Sequence, residues 1–144
     1  MSIEEFVFRV CVATLCAVAI GYERAQSHKN TGIRTLGLVG LGAGALMAAL
    51  QHAGATFDTT GRVIQGLLAG IGFLGAGVIL RGQADERPHG LTTAAAVWIT
   101  AIPGVVAGIG EEVAALVVAV LAFAILKLGA RVDCAVEARR TAQD

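Results

Sequence analysis

Five long apolar stretches alternate with short polar breaks along the chain, at positions 6–22, 35–54, 63–80, 91–110 and 113–128. Each is close to the roughly 17–25 residues that an α-helix needs to cross about 30 Å of hydrocarbon. The breaks carry the turn formers and charges, as in Gln26-Ser27-His28-Lys29-Asn30 and Arg81-Gly82-Gln83-Ala84-Asp85. The last break, Gly110-Glu111-Glu112, is short enough to make the fourth and fifth stretches an antiparallel hairpin. Lipid offers no partner to backbone N–H and C=O groups, so such stretches must be helical. The pattern predicts an all-α polytopic membrane bundle of about five transmembrane helices. One transmembrane domain covers residues 1–130, and a short charged tail covers 131–144.

The first stretch contains Ala17-Val18-Ala19, a small-x-small sequence of the kind that signal peptidase cleaves. The residues before it, however, include Glu4 and Glu5 ahead of Arg9, which is the wrong polarity for a secretory signal. The stretch therefore reads as a retained span. Arg9, about one turn inside it, can snorkel outward, with Glu5 at i−4 as its partner.

Composition sharpens the class. Of 144 residues, 56% are hydrophobic and 15% charged, and 19 are glycine. Soluble domains carry about a quarter charged residues, so a water-facing globule is excluded. Eleven basic side chains balance eleven acidic ones, which leaves no positive field for nucleic acid. The distribution of the basic residues is informative where their total is not. Arg24, Lys29, Arg34, Arg81, Arg87, Lys127, Arg131, Arg139 and Arg140 fall on one side of a five-span topology, and only Arg9 and Arg62 on the other. Positive charge marks the cytosolic side, so the N-terminus is expected outside and the C-terminus in the cytosol. Cys11, Cys16 and Cys134 have no disulfide or metal spacing and read as free thiols.

Twelve of the 19 glycines lie between Gly32 and Gly77. Small residues four apart on a helix form a groove that a neighbouring helix can enter closely. Gly40 and Gly44, extended by Ala48, form one such step; Gly66, Gly70, Gly72, Gly75 and Gly77 form a denser ridge, and Gly104 and Gly108 follow Pro103. The expected outcome is a packed centre of the second, third and fourth spans with the glycine-free fifth span facing lipid. On this reading Gly70→Leu prevents assembly, and the Gln65 amide seeks a partner between helices. The run Gly70-Ile71-Gly72-Phe73-Leu74-Gly75 also satisfies the dinucleotide-binding spacing G-x-G-x-x-G. It lacks the preceding strand and the acidic residue about twenty positions on, so no cofactor is expected.

Polar side chains concentrate where the first span ends and the second and fourth begin. Glu23, Arg24, Arg34, Thr35, Thr92 and Thr93 lie at one predicted membrane depth and form the candidate functional cluster. Glu23 can pair with Arg24 or Arg34, and the threonines can cap a helix or bond between helices. On the opposite side Asp58 and Arg62 have the i,i+4 spacing of a local ion pair. His28, His52 and His89 are scattered over loops or loop edges, and no nucleophile–base pair, metal-ligand spacing or carboxylate pair occurs. No catalytic or metal site is expected.

Four segments together carry a resemblance. Gly21-Tyr22-Glu23-Arg24, Gly32-Ile33-Arg34-Thr35, the run Gly70–Leu80 (GIGFLGAGVIL) and Gly90-Leu91-Thr92-Thr93-Ala94-Ala95 followed by Trp98 resemble the N-terminal membrane domain of the MgtC/SapB family, over about residues 21–110. The resemblance implies a multi-pass protein of the bacterial inner membrane with about five spans and a cytosolic C-terminus. It further implies a non-enzymatic role in adaptation to low magnesium and, in pathogens, in survival inside macrophages, exerted by binding other membrane machines such as the F-type ATP synthase. A small magnesium or potassium channel or solute transporter, as a homo-oligomer, is the alternative. Two departures stand out. Many members have an acid three positions before the arginine matching Arg62, where this sequence has Thr59, with Asp58 one position earlier. The best-known members also carry a small cytosolic C-terminal domain, whereas this sequence ends at Asp144; functions tied to that domain are not expected here.

Overall fold

The computed structural model describes residues 1–26, 31–81 and 90–141. They form five helices in chain order, α1 (Ile3–Gln26), α2 (Ile33–His52), α3 (Phe57–Arg81), α4 (Leu91–Gly108) and α5 (Glu112–Thr141). No strand occurs among the described residues. His28, Lys29, Asp85, Glu86, Arg87 and His89 lie outside them. α5 continues without a break past residue 130 as far as Thr141.

Four helices, α2 to α5, are long and apolar enough to cross a membrane. α1 carries charge at both of its ends. Glu4, Glu5 and Arg9 occupy one end and Glu23 and Arg24 the other. The uncharged stretch between Arg9 and Glu23 covers only about 20 Å at 1.5 Å per residue. α1 is nevertheless an inner helix: Ala13, Ala17 and Ile20 are fully buried, and it packs along α2, α4 and α5.

The packed centre is α1, α2 and α4. This corrects the expectation that α3 belongs to it. Gly40 and Gly44 of α2 lie against Ala17 and Ala13 of α1, with no room for a side chain between them. On the other flank of α2, a Cβ on Gly104 of α4 would stand 2.9 Å from the Ala43 Cβ and 2.9 Å from the Gly40 carbonyl oxygen. A Cβ on Gly108 would stand 2.7 Å from the Gly44 oxygen. Backbones this close gain dispersion over many atoms, which is the main attraction left to helices in lipid. Pro103 lies fully buried within α4. It has no N–H for the carbonyl four residues back, and one turn earlier Thr100 donates its hydroxyl to the Ala96 carbonyl at 2.6 Å.

α3 and α5 are peripheral. α5 lies outside, as its composition implies, with Leu116, Val120 and Ile125 exposed. α3 packs chiefly on α4 and scarcely touches α2. A Cβ at Gly66, Gly70, Gly72 or Gly77 would meet nothing within 4 Å; only Gly75 approaches a neighbour, Ala94 of α4, at 3.5 Å. The ridge spacing is present on α3, but most of its glycines point away from the bundle. Gln65 is exposed on that outer face and does not bridge helices.

Candidate functional site

The close approach of three helix ends builds the site. α1 and α2 meet so tightly that a Cβ on Gly21 would stand 2.8 Å from the Ile33 Cα. α4 starts at Gly90, whose φ of +98° favours glycine. A Cβ there would also approach the Val78 carbonyl oxygen of α3 to 3.2 Å. Gly21 thus sets α1 close against the start of α2, and Gly90 sets the start of α4 close against α3.

Across that junction the Arg24 Nη2 donates to the Thr93 Oγ1 at 2.5 Å, linking residues 69 apart in sequence. Both partners are buried, Arg24 to 3% exposure and Thr93 to 7%. Burial penalises the guanidinium, and the neighbouring Glu23 carboxylate, itself 4% exposed, offsets part of that penalty. The Arg24 Nε has no hydrogen-bond partner. The arrangement is a charged tie between two central helices, set among apolar side chains, with donor capacity left over. Thr31, just before α2, is also buried at this end; no apolar period or motif singled it out in the sequence.

The six-residue cluster thus divides. Glu23, Arg24 and Thr93 come together in the interior. Thr92 is exposed at the rim beside them. Arg34 and Thr35 are exposed on the first turn of α2 and face a groove between α2 and α3.

The opposite end of α1 has a second charged junction. Arg9 pairs with Glu5, lies 3.7 Å from a Glu112 carboxylate oxygen, and reaches the Gly108 carbonyl at 3.5 Å. Gly110, at φ +102°, leaves room for that guanidinium. Arg9 therefore joins α1 to the α4–α5 hairpin as well as pairing locally. Asp58 and Arg62 pair at 3.0 Å on the surface of α3, where an exposed pair contributes under about 1 kcal/mol. Among the described residues no three His, Cys, Asp or Glu side chains converge on a metal-sized site.

The model of the MgtC family matches residues 10–134, which takes in most of each of the five helices and the Arg24–Thr93 junction. The chain belongs to the MgtC family. Its relatives include SrpB of Synechococcus elongatus, 40% identical over 114 residues that cover 72% of this chain and 63% of SrpB. YhiD of Escherichia coli (strain K12), provisionally named a magnesium transporter, is 37% identical over 113 residues, 74% of this chain and 52% of YhiD. MgtC of Salmonella typhimurium is 37% identical over 111 residues, 77% of this chain and 46% of MgtC. The chain thus spans between about half and three-fifths of the length of these relatives. No solved structure matches it. As an MgtC-family chain with four helices long and apolar enough to span, it is a multi-pass membrane protein, and the resemblance read from its four glycine-bearing segments is one of real kinship.

Proposed function

We propose that this MgtC-family protein is a non-enzymatic regulator that binds another membrane machine, such as the F-type ATP synthase, during adaptation to low magnesium. The observation that carries this reading is the sealed centre. α1, α2 and α4 meet backbone to backbone at Gly40, Gly44, Gly104 and Gly108, and no charged side chain lies at mid-depth in any of the three. A carrier for a cation needs such a group or a wet path; a binding module needs a rigid frame and a presented surface. The Arg24–Thr93 tie supplies rigidity at the end where Tyr22, Leu91 and Thr92 are exposed. The nine-to-two bias of basic residues argues for that end being cytosolic, with residues 1–130 as one transmembrane domain and 131–144 as a short charged tail.

The second reading, a small magnesium or potassium channel or carrier, draws support from the name of YhiD. One pair of measurements decides between them. Purified protein in liposomes is assayed for magnesium and potassium flux, and the protein is used to capture partners from native membranes. The regulator reading expects flux no greater than in empty liposomes and co-purification of a membrane complex. Strong protein-dependent flux that Arg34→Ala abolishes overturns it.

A further inference from the structure

α2 and α3 both lean on α4 but scarcely touch each other, and the wedge between them is a groove of about 430 Å³. That volume lies within the range of small-molecule sites, roughly 300–1,000 Å³. The groove walls are apolar for most of their length, with Leu38 and Gly42 from α2 facing Leu67 and Leu74 from α3. At one mouth stand Arg34 and Thr35. Arg34 has no acidic partner among the described residues. It also sits on the first turn of α2, whose N-cap, Gly32, supplies no side-chain bond to the free N–H groups there, so charge and helix dipole are both positive at this mouth.

We infer that this groove holds one acyl chain of an anionic phospholipid, whose phosphate is gripped by Arg34 and Thr35. Depth and charge both point to that occupant. α2 lies in the membrane from its first turn, so Arg34 stands at headgroup level with the groove running below it into hydrocarbon. From Arg34 to Ala43 the α2 wall is about 13 Å long at 1.5 Å per residue. An acyl chain fits such a wedge and brings no backbone polar groups to satisfy. A phosphate at the mouth complements the guanidinium and can take two of its N–H donors at once. A second groove, about 230 Å³ between α1 and α5, provides the contrast. It is lined by residues such as Leu15, Leu116 and Phe123 with no charged side chain, and it has nothing with which to choose a headgroup.

The test uses the full chain in detergent micelles, titrated with phosphatidylglycerol or phosphatidylcholine and read by native mass spectrometry. Phosphatidylglycerol is expected to bind about fivefold more tightly, the preference that one well-placed arginine confers at an anionic surface. Arg34→Gln should remove that preference and Arg34→Lys should keep most of it. Gly42→Leu, at a glycine whose Cβ would meet nothing within 4 Å, should fill the groove and weaken both lipids; Leu38→Trp is a second filler should the first fold poorly. Equal binding of the two lipids by the wild-type chain overturns the proposal. So does a preference that survives Arg34→Gln, lipid binding unaffected by both filling variants, or a groove found occupied by a second copy of the chain.

Discussion

α3 and α4 are both glycine-bearing, both apolar and adjacent in sequence, yet they have opposite places in the molecule. Over the 18 most apolar residues of each, 56% of α4 is buried but only 11% of α3. The difference lies in what faces the glycines. Gly104 and Gly108 of α4 stand against Gly40, Ala43, Gly44 and Met47 of α2, while Gly66, Gly70, Gly72 and Gly77 of α3 face nothing within 4 Å among the described residues. A small-residue step is an opportunity for close packing, and it becomes a contact only where the opposing helix is equally small. α1 supplies that match with Ala13, Ala17 and Gly21, also four apart; α3 has no such partner among the described residues.

The comparison can be attacked at several points. The largest effect is expected at Gly40→Leu, where the new side chain meets Ala17 of α1 and the Ala13 carbonyl at once. The cost exceeds the 1–3 kcal/mol usual for overpacking, and expression followed by gel filtration should recover no folded protein. Next is the tie that closes the centre. Thr93→Val removes the hydroxyl acceptor of a buried guanidinium and should cost about 1–3 kcal/mol. Thr93→Ser, which keeps the accepting hydroxyl, should retain most of that stability in a denaturation series. A smaller effect is expected at Gly110→Ala. Its φ of +102° and the adjacent Arg9 guanidinium set a penalty of about 1–2 kcal/mol, visible as a lowered melting temperature. Gly66→Ala on α3 should be the mildest, neutral or stabilising by up to about 1 kcal/mol, since a helical glycine gains from any Cβ that has room.

Much of the fold was legible because hydrocarbon thickness and turn chemistry fix where helices start and stop. The stretch 91–110 lies within two residues of α4 (Leu91–Gly108), and 35–54 within two of α2 (Ile33–His52). Which helices meet was less legible. Periodicity names the face of a helix but not its partner, and attention to glycine alone passed over Ala13 and Ala17, whose methyl groups are the surface that Gly40 and Gly44 require. In the candidate site, the common depth of Glu23, Arg24 and Thr93 followed from the alternation of spans. The separation of Arg34 and Thr35 from them did not, because it depends on how far α3 leans from α2. That lean is set where α3 is buried against α4, by the Ile71 side chain and by the close approach of Gly75 to Ala94.

The central claim is that α1, α2 and α4 make the core and α3 rides outside it. The most direct measurement sets Gly104→Leu beside Gly70→Leu in one detergent and follows thermal unfolding of each against the wild-type chain. The two substitutions are chemically identical and both lie inside helices. Gly104→Leu should fail to give a cooperative transition, and Gly70→Leu should melt within a few degrees of wild type, equivalent to less than about 1 kcal/mol. A Gly70→Leu protein that does not fold, beside a Gly104→Leu protein that does, would contradict the account.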